Sequence, residues 1–160
     1  MALDSLRRAA EPLLRRVLHV YWRFARGLTL GVRALVIDAG GRVFLVEHSY
    51  VSGWHLPGGG VEAGETIHEA LARELREEGQ IELTGPPMLH GLYFNRHVSV
   101  RDHVALFVVR DFSQVQAPIP DREIVAHGFF ALDALPPGTS AGTRARIAEV
   151  LGGKSASQLW

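Results

Sequence analysis

The chain has no cysteine among its 160 residues, which excludes a disulfide framework and any thiolate metal site. It also lacks an excess of either charge. Seventeen Lys and Arg balance seventeen Asp and Glu, so a nucleic-acid-coating role is not expected. No apolar run reaches the roughly 18 residues of a membrane span. Arg7, Arg8, Arg15 and Arg16 interrupt any secretory-signal core near the start. Repeats and low-complexity tracts are absent. These absences imply one domain suited to a reducing compartment, with a cytoplasmic location as the expectation. A hydrophobic content of 47% is enough for a packed core.

The balanced total conceals an uneven spread. Residues 1–27 hold Arg7, Arg8, Arg15, Arg16, Arg23 and Arg26 against Asp4 and Glu11, a net of +4, which leaves −4 for the rest. Residues 13–26 read as an amphipathic helix, with Leu13, Leu14, Val17, Leu18, Val20, Tyr21, Phe24 and Ala25 on one broad face. β-rich runs then predict strands over 28–37 and 42–48, joined as a hairpin through Asp38-Ala-Gly-Gly41. Residues 54–56 are extended. A helix is predicted over 66–78, closing at Gly79, and opens with the capping-box pattern Thr66-x-x-Glu69. Strands follow at 88–94, 103–110 and 124–131, with a loop over 111–123. A last helix spans 139–151, and residues 152–160 are expected to form a flexible tail. Hairpin strands on both sides of a central helix imply an α/β class with a mixed sheet between helices.

The central helix carries the chemistry. At about 100° per residue, Glu74, Glu77 and Glu78 fall within an arc of about 100° beside the apolar stripe of Ile67, Leu71 and Leu75. A solvated helix would turn its acids outward. Carboxylates crowded at the margin of a core need a cation, or one of them stays protonated. Oxygen ligands alone favour Mg²⁺, with Mn²⁺ as the alternative. Gly58-Gly59-Gly60 just before the helix lets backbone approach a ligand closely. Its carbonyls are candidates for a metal shell and its amides for phosphate oxygens. A glycine loop and a carboxylate helix together point to metal-assisted chemistry on a phosphate-containing substrate.

By its spacing, the segment Gly58–Ile81 resembles the Nudix box, G-x5-E-x7-R-E-U-x-E-E-x-G-U, where U is bulky and aliphatic. Gly59, Glu65, Arg73, Glu74, Leu75, Glu77, Glu78 and Ile81 match, and Gln80 stands where the pattern has glycine. The resemblance extends more loosely over residues 28–151 and leaves out 1–27. It implies a Nudix-like α/β/α sandwich with a mixed β-sheet, preceded by an extra N-terminal amphipathic helix. The implied activity is Mg²⁺-dependent hydrolysis of the diphosphate linkage in a small nucleotide: a nucleotide sugar, ADP-ribose or a nucleoside triphosphate. A non-catalytic nucleotide-sensing module is the alternative. Carried over by position, Glu74, Glu77 and Glu78 are metal ligands, with Glu74 or a water beside it in base catalysis. The Gly59 carbonyl is a further ligand, and Glu65 pairs with Arg73. A late-loop acid completes the site, Glu123 before Asp121.

Among other polar and aromatic residues, Arg96 and Arg101 suit phosphate contact. Trp54, Tyr93, Phe94, His97 and His103 are expected to serve packing rather than binding. The 13–26 helix fits two situations. It packs on its own domain or across a homodimer, or it lies on a membrane surface.

Overall fold

The computed structural model describes residues 15, 18, 20–22, 24–120 and 122–160. The elements in order are β1 (Thr29–Val36), β2 (Val43–His48), β3 (Trp54–His55), α1 (Ile67–Gly79), β4 (Glu82–Leu83), β5 (Met88–Phe94), β6 (Asp102–Val109), β7 (Phe112–Ser113), β8 (Ile124–Phe130) and α2 (Ala141–Val150). One sheet has the order β1-β6-β5 and a second has β3-β2-β8, with β4-β7 as a small ribbon. β1 and β6 run parallel, whereas β5 and β6 are antiparallel. The first sheet is therefore mixed.

Two apolar clusters place the sheets between helices. Val32, Ala34 and Val36 pack with Ala70, Leu71 and Leu75 of α1. Leu35 and Ile37, on the alternate face, pack with Ile147 of α2. This is the α/β/α sandwich with a mixed sheet that the box resemblance implies.

The expected hairpin between the first two strands does not form. Only Ile37 and Val43 bridge across the Asp38–Gly41 turn. β1 pairs in parallel with β6 along its whole length, and residues 57–61 occupy its other edge. Val32 and Ala34 donate to the carbonyls of Gly59 and Pro57, each at 2.9 Å, and Val61 donates to Leu30 O at 2.8 Å. With both edges used and both faces buried, β1 has no ladder left for β2. The same pairing pins the glycine loop beneath α1.

Helix α1 starts as expected. Thr66 caps it, and the capping box with Glu69 is complete. The end differs from expectation. Gly79 remains helical, and the chain leaves the helix through Gln80, which adopts the left-handed conformation at φ 51°. Gln80 N–H donates to Arg76 O at 3.1 Å and Ile81 N–H to Leu75 O at 3.0 Å, satisfying the last carbonyls. Gly79 is required for a different reason: an added Cβ would lie 2.9 Å from Ile81 Cδ1 and 3.1 Å from Phe44 Cε1. A left-handed non-glycine residue costs roughly 1 kcal/mol. Gln80→Gly is therefore expected to stabilise the chain by about 1 kcal/mol, raising Tm by about 2–4 °C. A lower Tm in thermal unfolding would refute the argument.

Within residues 152–160, expected to form a flexible tail, Ser157–Trp160 make contacts with the domain. Arg146 donates to Leu159 O at 2.8 Å, and Ser157 N–H to Glu149 Oε1 at 3.0 Å. Trp160 packs edge-on to Tyr93. The unpaired edge of β5 gives this segment its partner. Of the 13–26 helix, residues 15, 18, 20–22 and 24–26 are described; all are exposed, and all but Arg26 are helical. Leu18, Val20, Tyr21 and Phe24 are 42–74% exposed, so these residues of the apolar face do not pack on the chain's own domain. The rest of that helix lies outside the described residues. Among those described, no helix is long and apolar enough to cross a membrane.

Candidate active site

Helix α1 presents its acids at three depths. Glu74 and Glu78 are 9% and 6% exposed, whereas the Glu77 side chain is 59% exposed. Glu77 thus sits outside the inward arc, on the solvent side of the same edge. Glu74, Glu77, Glu78 and Glu123 nevertheless line one cavity of about 290 Å³. Glu123 comes from the loop before β8, so the late-loop acid favoured in the sequence lines the same cavity as the helix carboxylates. Asp121 lies outside the described residues.

The glycine loop serves these carboxylates directly. Gly58 N–H donates to Glu78 Oε2 at 2.7 Å. Gly58 has φ 136°, and a Cβ there would collide with the Val32 carbonyl oxygen of β1. At Gly59 a Cβ would collide with the Glu74 carboxylate. Only residues without side chains fit between the helix acids and β1. The Gly58 amide is therefore committed to Glu78 and not to phosphate. The Gly59 carbonyl accepts from Val32, which leaves it one lone pair for a further partner.

Arg73 links the loop to the helix. Its Nε and Nη2 reach Glu65 Oε1 and Oε2 at 3.0 and 3.1 Å, and Nη2 also donates to Gly60 O at 3.0 Å. Nη1 meets Glu74 Oε1 at 2.7 Å and Glu77 Oε2 at 3.3 Å. The hydrogen bonds from Arg73 hold the Glu65 carboxyl below its ordinary pKa. Glu74 goes the other way, because desolvation outweighs the Arg73 contact. Glu78, more deeply buried, is pushed up to about 8 by desolvation, against the Gly58 hydrogen bond and the Arg33 charge.

Two buried acids that resist ionising, with two more at the same cavity, form an oxygen-only donor set short of positive charge. That chemistry fits a hard divalent cation. Among the described residues no three such groups yet converge closely enough to chelate one; Arg73 holds both Glu74 and Glu77.

A larger cavity of about 530 Å³ lies beside this one, lined in part by Arg33, His48, Tyr50, Gly59, Gly60 and Trp160. Two contacts join the cavities. His48 Nε2 is 3.3 Å from Glu78 Oε1, and the Tyr50 hydroxyl donates to Glu123 Oε1 at 3.3 Å. Desolvation and the charge of Arg33 lower the His48 pKa, so its imidazole is neutral near pH 7, and neither ring nitrogen makes a well-aligned hydrogen bond. Burial and Glu123 raise the Tyr50 pKa.

Sequence reasoning missed Arg33, His48, Tyr50 and His55. One signal was available, since Arg33 is the sole charge inside the apolar run of β1. Its Nη1 donates to Leu56 O at 2.9 Å. Arg96 is corrected. The turn after β5 directs Asn95 and His97 to the larger cavity, while Arg96 is exposed and lines neither cavity. Arg101 donates to Phe24 O at 3.3 Å. Trp54 packs against Phe130 and His103 stacks on Phe94, both in the packing roles expected of them.

A NUDIX domain model matches residues 27–151, and the chain belongs to the Nudix family. An RNA pyrophosphohydrolase from Halorhodospira halophila is 46% identical over 52 residues, which is 32% of this chain and 29% of that protein. The match therefore spans under a third of the relative's length. Among solved structures, a MutT Nudix hydrolase from Burkholderia pseudomallei superposes with a TM-score of 0.64 at 26% identity, over 76% of this chain and 97% of the other. An ADP-ribose pyrophosphatase from Streptococcus suis shares the fold, with a TM-score of 0.57 at 24% identity, over 82% and 95% of the two chains.

Proposed function

We propose that this chain hydrolyses the diphosphate linkage of a small nucleoside diphosphate derivative: a nucleotide sugar, ADP-ribose or a nucleoside triphosphate. The observation that carries the reading is that Glu74, Glu77, Glu78 and Glu123 line one cavity that adjoins a larger one. The four carboxylates would hold Mg²⁺, or Mn²⁺ in its place, with the spare lone pair of the Gly59 carbonyl available beside them. Such an ion, held by these residues, would supply polarisation of a phosphoryl oxygen and acidification of water.

The chain's own groups do the rest. Arg33 neutralises phosphate charge at the mouth of the larger cavity. Glu74, or a water beside it, is the candidate for taking a proton from the attacking water. Water oxygen bonds to one phosphorus, the anhydride P–O bond breaks, and the second phosphate leaves with the bonding electrons. Arg73 aligns Glu74 and Glu77 from the side.

The test is a hydrolysis screen with Mg²⁺ across nucleotide sugars, ADP-ribose, nucleoside triphosphates and a 5′-triphosphorylated oligoribonucleotide, the last because one relative is named an RNA pyrophosphohydrolase. Turnover of a small nucleotide is expected. Saturable nucleotide binding without turnover would overturn the reading in favour of a sensing module.

A further inference from the structure

Strand β5 is the outer strand of its sheet, and residues 158–160 run beside it. Phe94 N–H donates to Gln158 O at 2.8 Å, and Trp160 N–H to Phe94 O at 3.2 Å. Main-chain pairing of this kind adds a strand to an edge. A buried polar network fixes its register. Arg146 of α2 is 2% exposed. Its Nη1 donates to Leu159 O, and its Nη2 meets Glu149 Oε1 at 2.6 Å. The same Glu149 oxygen accepts from Ser157 N–H, and the other accepts from the Tyr93 hydroxyl at 2.9 Å. Charged groups this deep are costly to bury and contribute more to specific placement than to stability.

What the network places is Trp160. Its indole stands edge-on to Tyr93 with ring centroids 5.7 Å apart. It lies so close to α2 that a Cβ added at Gly142 would be 2.8 Å from Nε1. With Leu30, Val98 and Val104 it supplies apolar wall to the larger cavity.

We propose that segment 152–160 is a latch that sets Trp160 as a wall of that cavity, and that the indole selects the organic moiety carried by the diphosphate, favouring a planar ring. The proposal rests on the reading that the carboxylates take the diphosphate and the larger cavity takes the moiety attached to it. A flat indole in this mixed polar and apolar lining offers stacking area to any aromatic base and none to phosphate.

Two measurements test it. Trp22 and Trp54 are the chain's other tryptophans; in the full chain carrying Trp22→Phe and Trp54→Phe, emission reports Trp160 alone. ADP with Mg²⁺ is expected to quench it saturably, and inorganic pyrophosphate is not. No response to ADP, or an equal response to both, overturns the proposal. In the otherwise native chain, Trp160→Ala is expected to raise KM for the preferred nucleotide about tenfold with kcat within about twofold, and Trp160→Phe to recover most of the loss. Unchanged KM, or equal losses in both variants, overturns it. Absent turnover in the wild type with the ADP quench intact would count against the hydrolase reading alone.

Discussion

Glu78→Gln is expected to lower Mg²⁺-dependent turnover at least about 100-fold and, without metal, to raise the melting temperature in alkaline buffer. The first effect follows from its position. Loss of an outer partner of a metal ligand costs about 10–100-fold, and Glu78 is proposed as a ligand itself. The second follows from its burial. Desolvation lifts its pKa from 4.5 to about 8 in the folded chain, so the folded state holds this proton more tightly than the unfolded state does. Stability of the metal-free protein therefore falls as pH rises from about 4.5 through about 8. The glutamine amide is uncharged, keeps an acceptor for the Gly58 amide, and escapes that fall. With a chelator at pH 9 the variant should melt above the wild type, and at pH 4 the two should nearly coincide. Mg²⁺ should raise the wild-type Tm more at pH 8.5 than at pH 6, because the cation competes with the proton. Undiminished turnover would remove Glu78 from the ligand set. A lower Tm for the variant at pH 9 would refute the burial argument.

Arg73→Gln is expected to destabilise the chain by about 2–3 kcal/mol, or roughly 5–10 °C in Tm, and to cut turnover severely. Breaking a buried ion pair costs about 3–5 kcal/mol, largely from the charge left unpaired. The Arg73 side chain is 26% exposed, which places the estimate below that range. Its loss would leave Glu74 without its hydrogen-bonded cation and would release the Gly60 carbonyl and Glu65 together. Lysine should recover under half of the loss, since an ammonium cannot make the side-on pair with Glu65 while also meeting Glu74 and Gly60. Mg²⁺ should restore part of the variant's Tm by supplying positive charge at the same carboxylates. A change in stability within 0.5 kcal/mol would show that the linkage is only a surface pairing.

Much of the architecture was legible because its signals are local. The capping box at Thr66 and Glu69, the apolar runs of β1 and β6, and the spacing that brings Glu65 to Arg73 are each written within a short stretch of chain. Glu74 and Glu78 were correctly placed inward by helical period alone. Glu77 was not. Its angle on the wheel lies at the margin, and the neighbouring surface decides whether such a position is covered. The hairpin expectation failed for a related reason. Two apolar strands across an Asp-Ala-Gly-Gly turn look adjacent, but the 57–61 segment and β6 compete for the same edges of β1, and that competition has no local signal. The docking of Trp160 was equally silent, since it depends on the free edge of β5 and on Arg146, a residue buried only because Glu149 and Tyr93 meet it.

The sequence by itself determined the family, the helix that carries the carboxylates and the pairing of that helix with a glycine loop, because box chemistry depends on spacing along one short stretch. Tertiary structure alone decided which acids are buried, that Glu123 lines the same cavity as they do, and that Arg33, His48, Tyr50 and Trp160 line the adjoining one. Burial sets how strongly each carboxylate resists its charge, and burial is a property of neighbours distant in the chain.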